Sequence, residues 1–159
     1  MDTKTELRIE TVVYVTRNSG DDSEVLLIYR DKSPNPGIWV PLGETVKFDE
    51  SPYENAVKAA QESGLTAKKI EFRGLVTEVS PKIQWHLFLY EVKEYEGEAL
   101  EKIPAGQLKW VKINDIQNLK MPAADGVMGP EILVKKNPFF EAKMYFTEDM
   151  KLLKTETHD

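Results

Sequence analysis

The residues best equipped for chemistry in this sequence lie between Gly43 and Gly64. Glu44, Asp49 and Glu50 follow a glycine turn, and Lys58 and Glu62 come after them, four positions apart. Carboxylates beside a glycine turn can hold a divalent metal and, through it, a chain of phosphates. Glu62 is the leading catalytic acid and metal ligand, Glu44 and Asp49 are the further ligands, and Glu50 and Lys58 stand beside them. Each also has a plainer use. Glu54 and Glu62 both sit at pairing distance from Lys58 along a helix, and an acid such as Glu50 at a helix start is favoured by the macrodipole. Trp39 and Trp85 offer faces on which a base could stack, although tryptophan at a strand end or on an apolar face more often fills a core. His86 and His158 have no ligand neighbours at useful spacing and receive no role.

The run from Trp39 to Leu65 resembles the Nudix box: glycine, five residues, glutamate, seven residues, then Arg-Glu-aliphatic-x-Glu-Glu-x-Gly-aliphatic. Read without gaps from its end, Gly43, Asp49, Gln61, Glu62, Gly64 and Leu65 match or nearly match, and Val57-Lys58 stands where Arg-Glu belongs. Read forward from Trp39, Glu50-Ser51-Pro52 matches and Lys58 replaces the arginine. In that register Glu44 displaces a glycine and Ala59 replaces the first helix glutamate. The forward register suits the loop, the gapless one suits the helix end, and neither restores the full set of acids.

The likeness extends along most of the chain. The Gly97-Glu98 strand exit, the segment from Leu108 through Ile116, Asp125 five residues before Pro130-Glu-Ile-Leu, and the closing strands look like the subfamily that hydrolyses oxidised purine nucleoside triphosphates. That resemblance implies an α/β Nudix fold, a mixed β-sheet sandwiched between α-helices, over one domain spanning 1–159. It implies Mg2+ or Mn2+ as cofactor and a nucleoside diphosphate linked to a further group as substrate. Gly43 and Trp39 would border the substrate and Asp125 would read the base edge. Ala124 stands in place of the companion acid, however, and Pro122 in place of the stacking aromatic. With Gln61 for an acid and Lys58 or Ala59 for another, weakened turnover is expected. The alternative is a Nudix-fold module that binds a nucleotide or a regulatory partner without hydrolysis.

Composition sets the outer bounds. The chain has 159 residues, a net charge of −6 and no cysteine. Its length supports one domain with a real core. The acidic balance argues against nucleic acid or an anionic membrane as partner, since both need a clustered basic face. A cysteine-free chain without an apolar leader or a membrane-length run fits the cytoplasm.

The elements that must position these groups are legible in outline. Pro52 at a first helical position and Gly64 as a stop frame a helix. On its wheel Tyr53, Ala56, Val57, Ala59 and Ala60 form the packing arc, and Glu54, Asn55, Lys58, Gln61 and Glu62 the polar one. Strands are expected over residues 7–15, 25–29, 70–76, 83–92 and 108–113, with a strand pair in 139–155 turning at Thr147. Residues 94–104 read as a charged loop. Asn114 reads as the cap of a short helix, Asp125 lies in a turn, and residues 127–134 read as a helix entered through Pro130.

Overall fold

The computed structural model describes residues 5–31 and 36–158. Its central strand is β1 (Glu6–Arg17), in which Val12, Val13, Tyr14 and Val15 are all buried, so that both faces are covered. β1 runs parallel to β5 (Ile83–Gly97), which pairs antiparallel with β4 (Leu65–Val79). β4 runs parallel to β8 (Phe140–Phe146), and β9 (Leu152–His158) closes that side. On the other side β1 meets β2 (Glu24–Arg30) only where Thr16 faces Val25 and Arg17 faces Glu24. β2 then diverges to pair with β3 (Ile38–Pro41) and β7 (Gly106–Lys112), with β6 (Lys102–Ile103) outermost. The result is a mixed sheet in the order β6-β7-β2-β1-β5-β4-β8-β9, with β3 beside β2.

Alternate residues of β1 feed two cores, as the two-residue period of a strand requires. Val13 and Val15 join Leu26, Ile28, Leu42 and Val92 beneath α1 (Pro52–Glu62). Val12 and Tyr14 join Leu87, Leu89 and Val76 on the opposite face. That face is covered by Ile116 from a 3-10 turn (Ile113–Asn118), Met128 from α2 (Asp125–Gly129) and Ile132 from the π-helical turn Pro130–Val134.

The helix α1 starts at Ser51. The Ser51 hydroxyl accepts from the Glu54 N–H at 3.0 Å, the Glu54 carboxylate accepts from the Ser51 N–H at 3.0 Å, and Pro52 follows at the first helical position. This reciprocal box satisfies two donors that would otherwise lack partners. Ala56, Ala59 and Ala60 are buried, as their arc implies. Two neighbours depart from it. Tyr53 is 53% exposed and only its ring edge meets Tyr90, while Asn55 has no exposed surface at all. The first turn of α1 faces polar backbone at the edge of β1, so an amide is buried there and a phenol is not.

Other departures follow from pairing and backbone chemistry. Residues 94–97 are the end of β5 rather than loop, because β4 begins at once after Gly64 and pairs with them, and Lys68 reaches Glu96 at 3.4 Å. Asn114 lies inside the 3-10 turn, whose cap is Lys112. The helix expected over residues 127–134 begins two residues earlier, at Asp125, and Pro130 lies inside the helical run rather than at its entry. Pro130 has no N–H to give the preceding turn, and the backbone widens there until the Lys135 N–H reaches the Pro130 carbonyl at 2.9 Å. Among the described residues no helix is long and apolar enough to cross a membrane.

Because Ala60 lies flush against its neighbours, Ala60→Leu is expected to lower stability by about 1–3 kcal/mol through overpacking. Urea denaturation measures this, and an unchanged midpoint would place Ala60 outside the packed face.

Candidate functional site

The divergence of β2 leaves one edge of β1 free, and residues 42–46 fill it. The Val13 N–H donates to the Leu42 carbonyl at 2.8 Å, the Thr11 N–H to Glu44 at 3.0 Å, and the Val46 N–H to Ile9 at 2.8 Å. Gly43 adopts φ +136°, and a Cβ added to it would lie 1.9 Å from the Thr11 carbonyl oxygen. Only glycine permits this approach. The loop behind it is held by Asn55, whose amide donates to the Thr45 carbonyl at 3.1 Å and to Glu50 at 2.9 Å, while the Thr11 hydroxyl donates to its oxygen at 2.5 Å. Glu50 is therefore a brace. The Asn55 amide, and then the Lys47 N–H at 3.1 Å, hold its carboxyl below the ordinary value.

Gly43 borders two hollows. The smaller, about 400 Å³, is lined by Glu44, Ala59, Glu62 and the Ile103-Pro104-Ala105 segment. Glu44 and Glu62 stand side by side there. Glu62 raises the Glu44 pKa through hydrogen bonding, with burial and like charge adding to the rise and Lys58 opposing it. The Lys58 ammonium is 3.9 Å from Glu44 and 4.0 Å from Glu62, a loose bridge between them. Asp49 does not join. It is exposed in a tight turn at φ 67°, and no group of three potential ligands forms among the described residues.

The larger hollow, about 690 Å³, lies between β1, β3, β4, β5 and the loop into α2. Trp85, Leu87 and Met128 give it apolar walls, and Glu10, Glu78 and Asp125 give it three carboxyls. Burial first, and then the charge of Glu10, pushes Glu78 up to about 7. Burial first, and then Glu78 and Glu10, pushes Asp125 up to about 7. The Tyr14 hydroxyl is buried without a hydrogen-bond partner among the described residues; burial and the nearby Asp125 charge raise its pKa well above the ordinary value.

The NUDIX domain family model matches residues 6–132. The chain belongs to the Nudix family. The uncharacterized Nudix hydrolase YvcI of Bacillus subtilis is 25% identical over 138 residues, covering 83% of this chain and 85% of that one. The mutator MutT protein of Bacillus halodurans superposes with a TM-score of 0.81 at 26% identity, over 94% of this chain and 97% of that one. The NUDIX domain of Shewanella oneidensis NrtR, solved with ADP ribose, gives a TM-score of 0.64 at 18% identity, covering 86% and 90%.

Within this Nudix fold the sequence-expected residues divide. Glu44, Glu62, Lys58 and Gly43 come together, and Asp125 lines the larger hollow. Asp49 and Glu50 lie apart from the carboxylate pair. Trp39 packs against Tyr29 with ring centroids 4.9 Å apart, and the tryptophan on the cavity wall is Trp85. As a donor set, Glu44 and Glu62 fit a hard divalent cation, because two carboxylates that repel one another are relieved by a dication that takes its remaining ligands from phosphate and water. Sequence reasoning missed Glu10 and Glu78. The signal was present in strand alternation, which places Glu78 on the face of buried Val76 and Glu10 on that of Val12 and Tyr14.

A carboxyl whose folded-state pKa is raised binds its proton more tightly in the native chain than in the unfolded one. The stability contributed by Glu78 and Asp125 is thus complete below their ordinary values of 4.5 and 3.8 and is lost as pH rises through about 7. Melting temperature measured from pH 5 to pH 8 is expected to fall more steeply in the unmodified protein than in Glu78→Gln with Asp125→Asn. Parallel profiles would show that these carboxyls titrate normally.

Proposed function

We propose that this protein is a Nudix pyrophosphohydrolase of weakened activity, acting on a nucleoside diphosphate linked to a further group. The base occupies the larger hollow beside Trp85 and Asp125, and the phosphate chain crosses Gly43 towards Glu44 and Glu62. The observation that carries this reading is the place of Gly43 on the rim of both hollows, with the Glu44–Glu62 pair on one side of it and Trp85 and Asp125 on the other. The ADP ribose in the Shewanella NrtR structure is a ligand of this chemical class on a related fold. A small nucleotide, rather than a nucleic acid, suits a net charge of −6, and the cysteine-free chain suits the cytoplasm.

Glu44 and Glu62 are the residues that would hold Mg2+ or Mn2+. Such an ion, when bound, neutralises phosphate charge and lowers the pKa of a water. Lys58 keeps the Glu44 and Glu62 charges partly compensated, so it competes with a dication for the same two carboxylates. This competition, together with the position of Asp49 outside the pair, is the physical basis for slow turnover. It also supports the second reading, a module that binds the nucleotide without hydrolysis.

The test is magnesium-dependent release of phosphate or pyrophosphate over a nucleotide panel that includes oxidised purine nucleoside triphosphates. Slow release is expected, reduced by at least about 10–100-fold in Glu62→Gln, since loss of even an outer partner of a metal site has that effect. Lys58→Glu with Gln61→Glu is expected to raise it. Complete inertness of all three proteins, with a rise in melting temperature on adding nucleotide, would establish the binding module instead.

A further inference from the structure

We infer that the free edge of β9 is a self-association surface, on which a second copy of this chain pairs antiparallel, strand to strand, about a two-fold axis at Thr155. β9 lies beyond residues 6–132, the span matched by the family model, and it lines neither hollow.

The sheet ends differently at its two sides. The outer strand β6 is only two residues long and offers little backbone to a neighbour, whereas β9 runs for seven residues and, among the described residues, pairs with β8 alone. A strand edge of that length is a template for another strand unless proline, a bulge or an uncompensated charge blocks it. β9 holds no proline, and the one irregularity in its pairing with β8 falls between Tyr145 and Phe146, next to the turn. Its cation Lys154 is compensated within the strand by Glu156 at 3.5 Å. Between these features and the turn, Leu153 is left 67% exposed.

Symmetry and charge select both the occupant and the register. A two-fold axis normal to the sheet keeps every side chain on its own face, so it passes through a residue rather than between two. An axis through Lys154 sets lysine against lysine, and one through Glu156 sets glutamate against glutamate. An axis through Thr155, the middle residue of β9, pairs the strand along its whole length. It sets Lys154 opposite Glu156 of the second copy and Glu156 opposite that copy's Lys154, with Thr155 against its own equivalent and Leu153 against Thr157. Opposite charges and threonine pairs are both favourable across a ladder. Directly opposed side chains stand about 5 Å apart at Cβ, against about 6.7 Å for positions two apart on one strand, so each charge has a nearer partner across the interface than along its own strand. β9 is therefore complementary to itself, which is what an isologous interface requires.

Sedimentation velocity of the full chain from about 1 to about 300 μM tests this, a range suited to an interface of modest area. The unmodified chain is expected to move towards twice its monomer mass as concentration rises. Lys154→Glu and Glu156→Lys each turn both cross-strand ion pairs into like-charge pairs, and each is expected to weaken self-association by at least about tenfold. Lys154→Glu with Glu156→Lys in one chain reverses both pairs and is expected to restore it. An equal mixture of the two single variants is expected to restore it as well, because the acids of one chain then face the lysines of the other, a rescue that repair within a monomer cannot supply. The melting temperature of each variant verifies that it is folded. An unmodified chain that stays monomeric throughout, a dimer that neither single variant weakens, or a loss that neither the double variant nor the mixture restores would each overturn pairing through β9.

Discussion

Everything at the centre of this molecule depends on how the free edge of β1 is satisfied. β2 leaves β1 after two paired positions, so the amides and carbonyls from Ile9 to Val13 need other partners. An unpaired strand edge in the interior would lose hydrogen bonds to water without replacing them. Residues 42–46 supply the replacement, and the fit is close enough that the residue lying against the Thr11 carbonyl, Gly43, must be glycine. Asn55 then ties β1, the loop and α1 through a single buried amide. The position of Glu44 and the pitch of α1, which carries Glu62, are both consequences of that junction.

The same divergence makes room for the larger hollow. If β2 had stayed paired along the whole of β1, the space between β1 and β3 would be closed by backbone. Because β2 turns away, Glu10 and Gly43 come to line a cavity whose far side is formed by α2. The short helical pieces there are held by Met128 and Ile132, both in the core, rather than by length. Arg73 anchors the same region from below, pairing with buried Glu91 and donating to the Asn137 carbonyl at 2.7 Å.

The two hollows meet at Leu42 and Gly43, and both are lined by carboxyls. The smaller has two acids and a lysine at its edge, which leaves it open to a competing cation. In the larger, Glu78 and Asp125 have no cation paired to them among the described residues, and burial favours their neutral forms. Polar groups kept unsatisfied inside a packed domain oppose folding, and they persist most readily where a ligand completes them.

Much of the framework was already determined by the sequence. The capping box and the flanking Pro52 and Gly64 act through neighbours a few positions away, so α1 was legible within a residue or two. The existence of β1 followed equally from β-branched and aromatic residues over 7–15, while its burial on both faces came with the strands and helices around it. The family likeness, carried by local spacing, was also visible, and so was the erosion of its acids. Tertiary structure decided the rest. The burial of Asn55, the pairing of Glu44 with Glu62 to the exclusion of Asp49, and the exchange of Trp39 for Trp85 at the cavity all depend on which distant strand lies alongside. Glu10, Glu78 and Asp125 come from β1, β4 and α2, and no spacing along the chain encodes their meeting. Their raised pKa values arise from shared burial, a property of the enclosed space that those elements form only together.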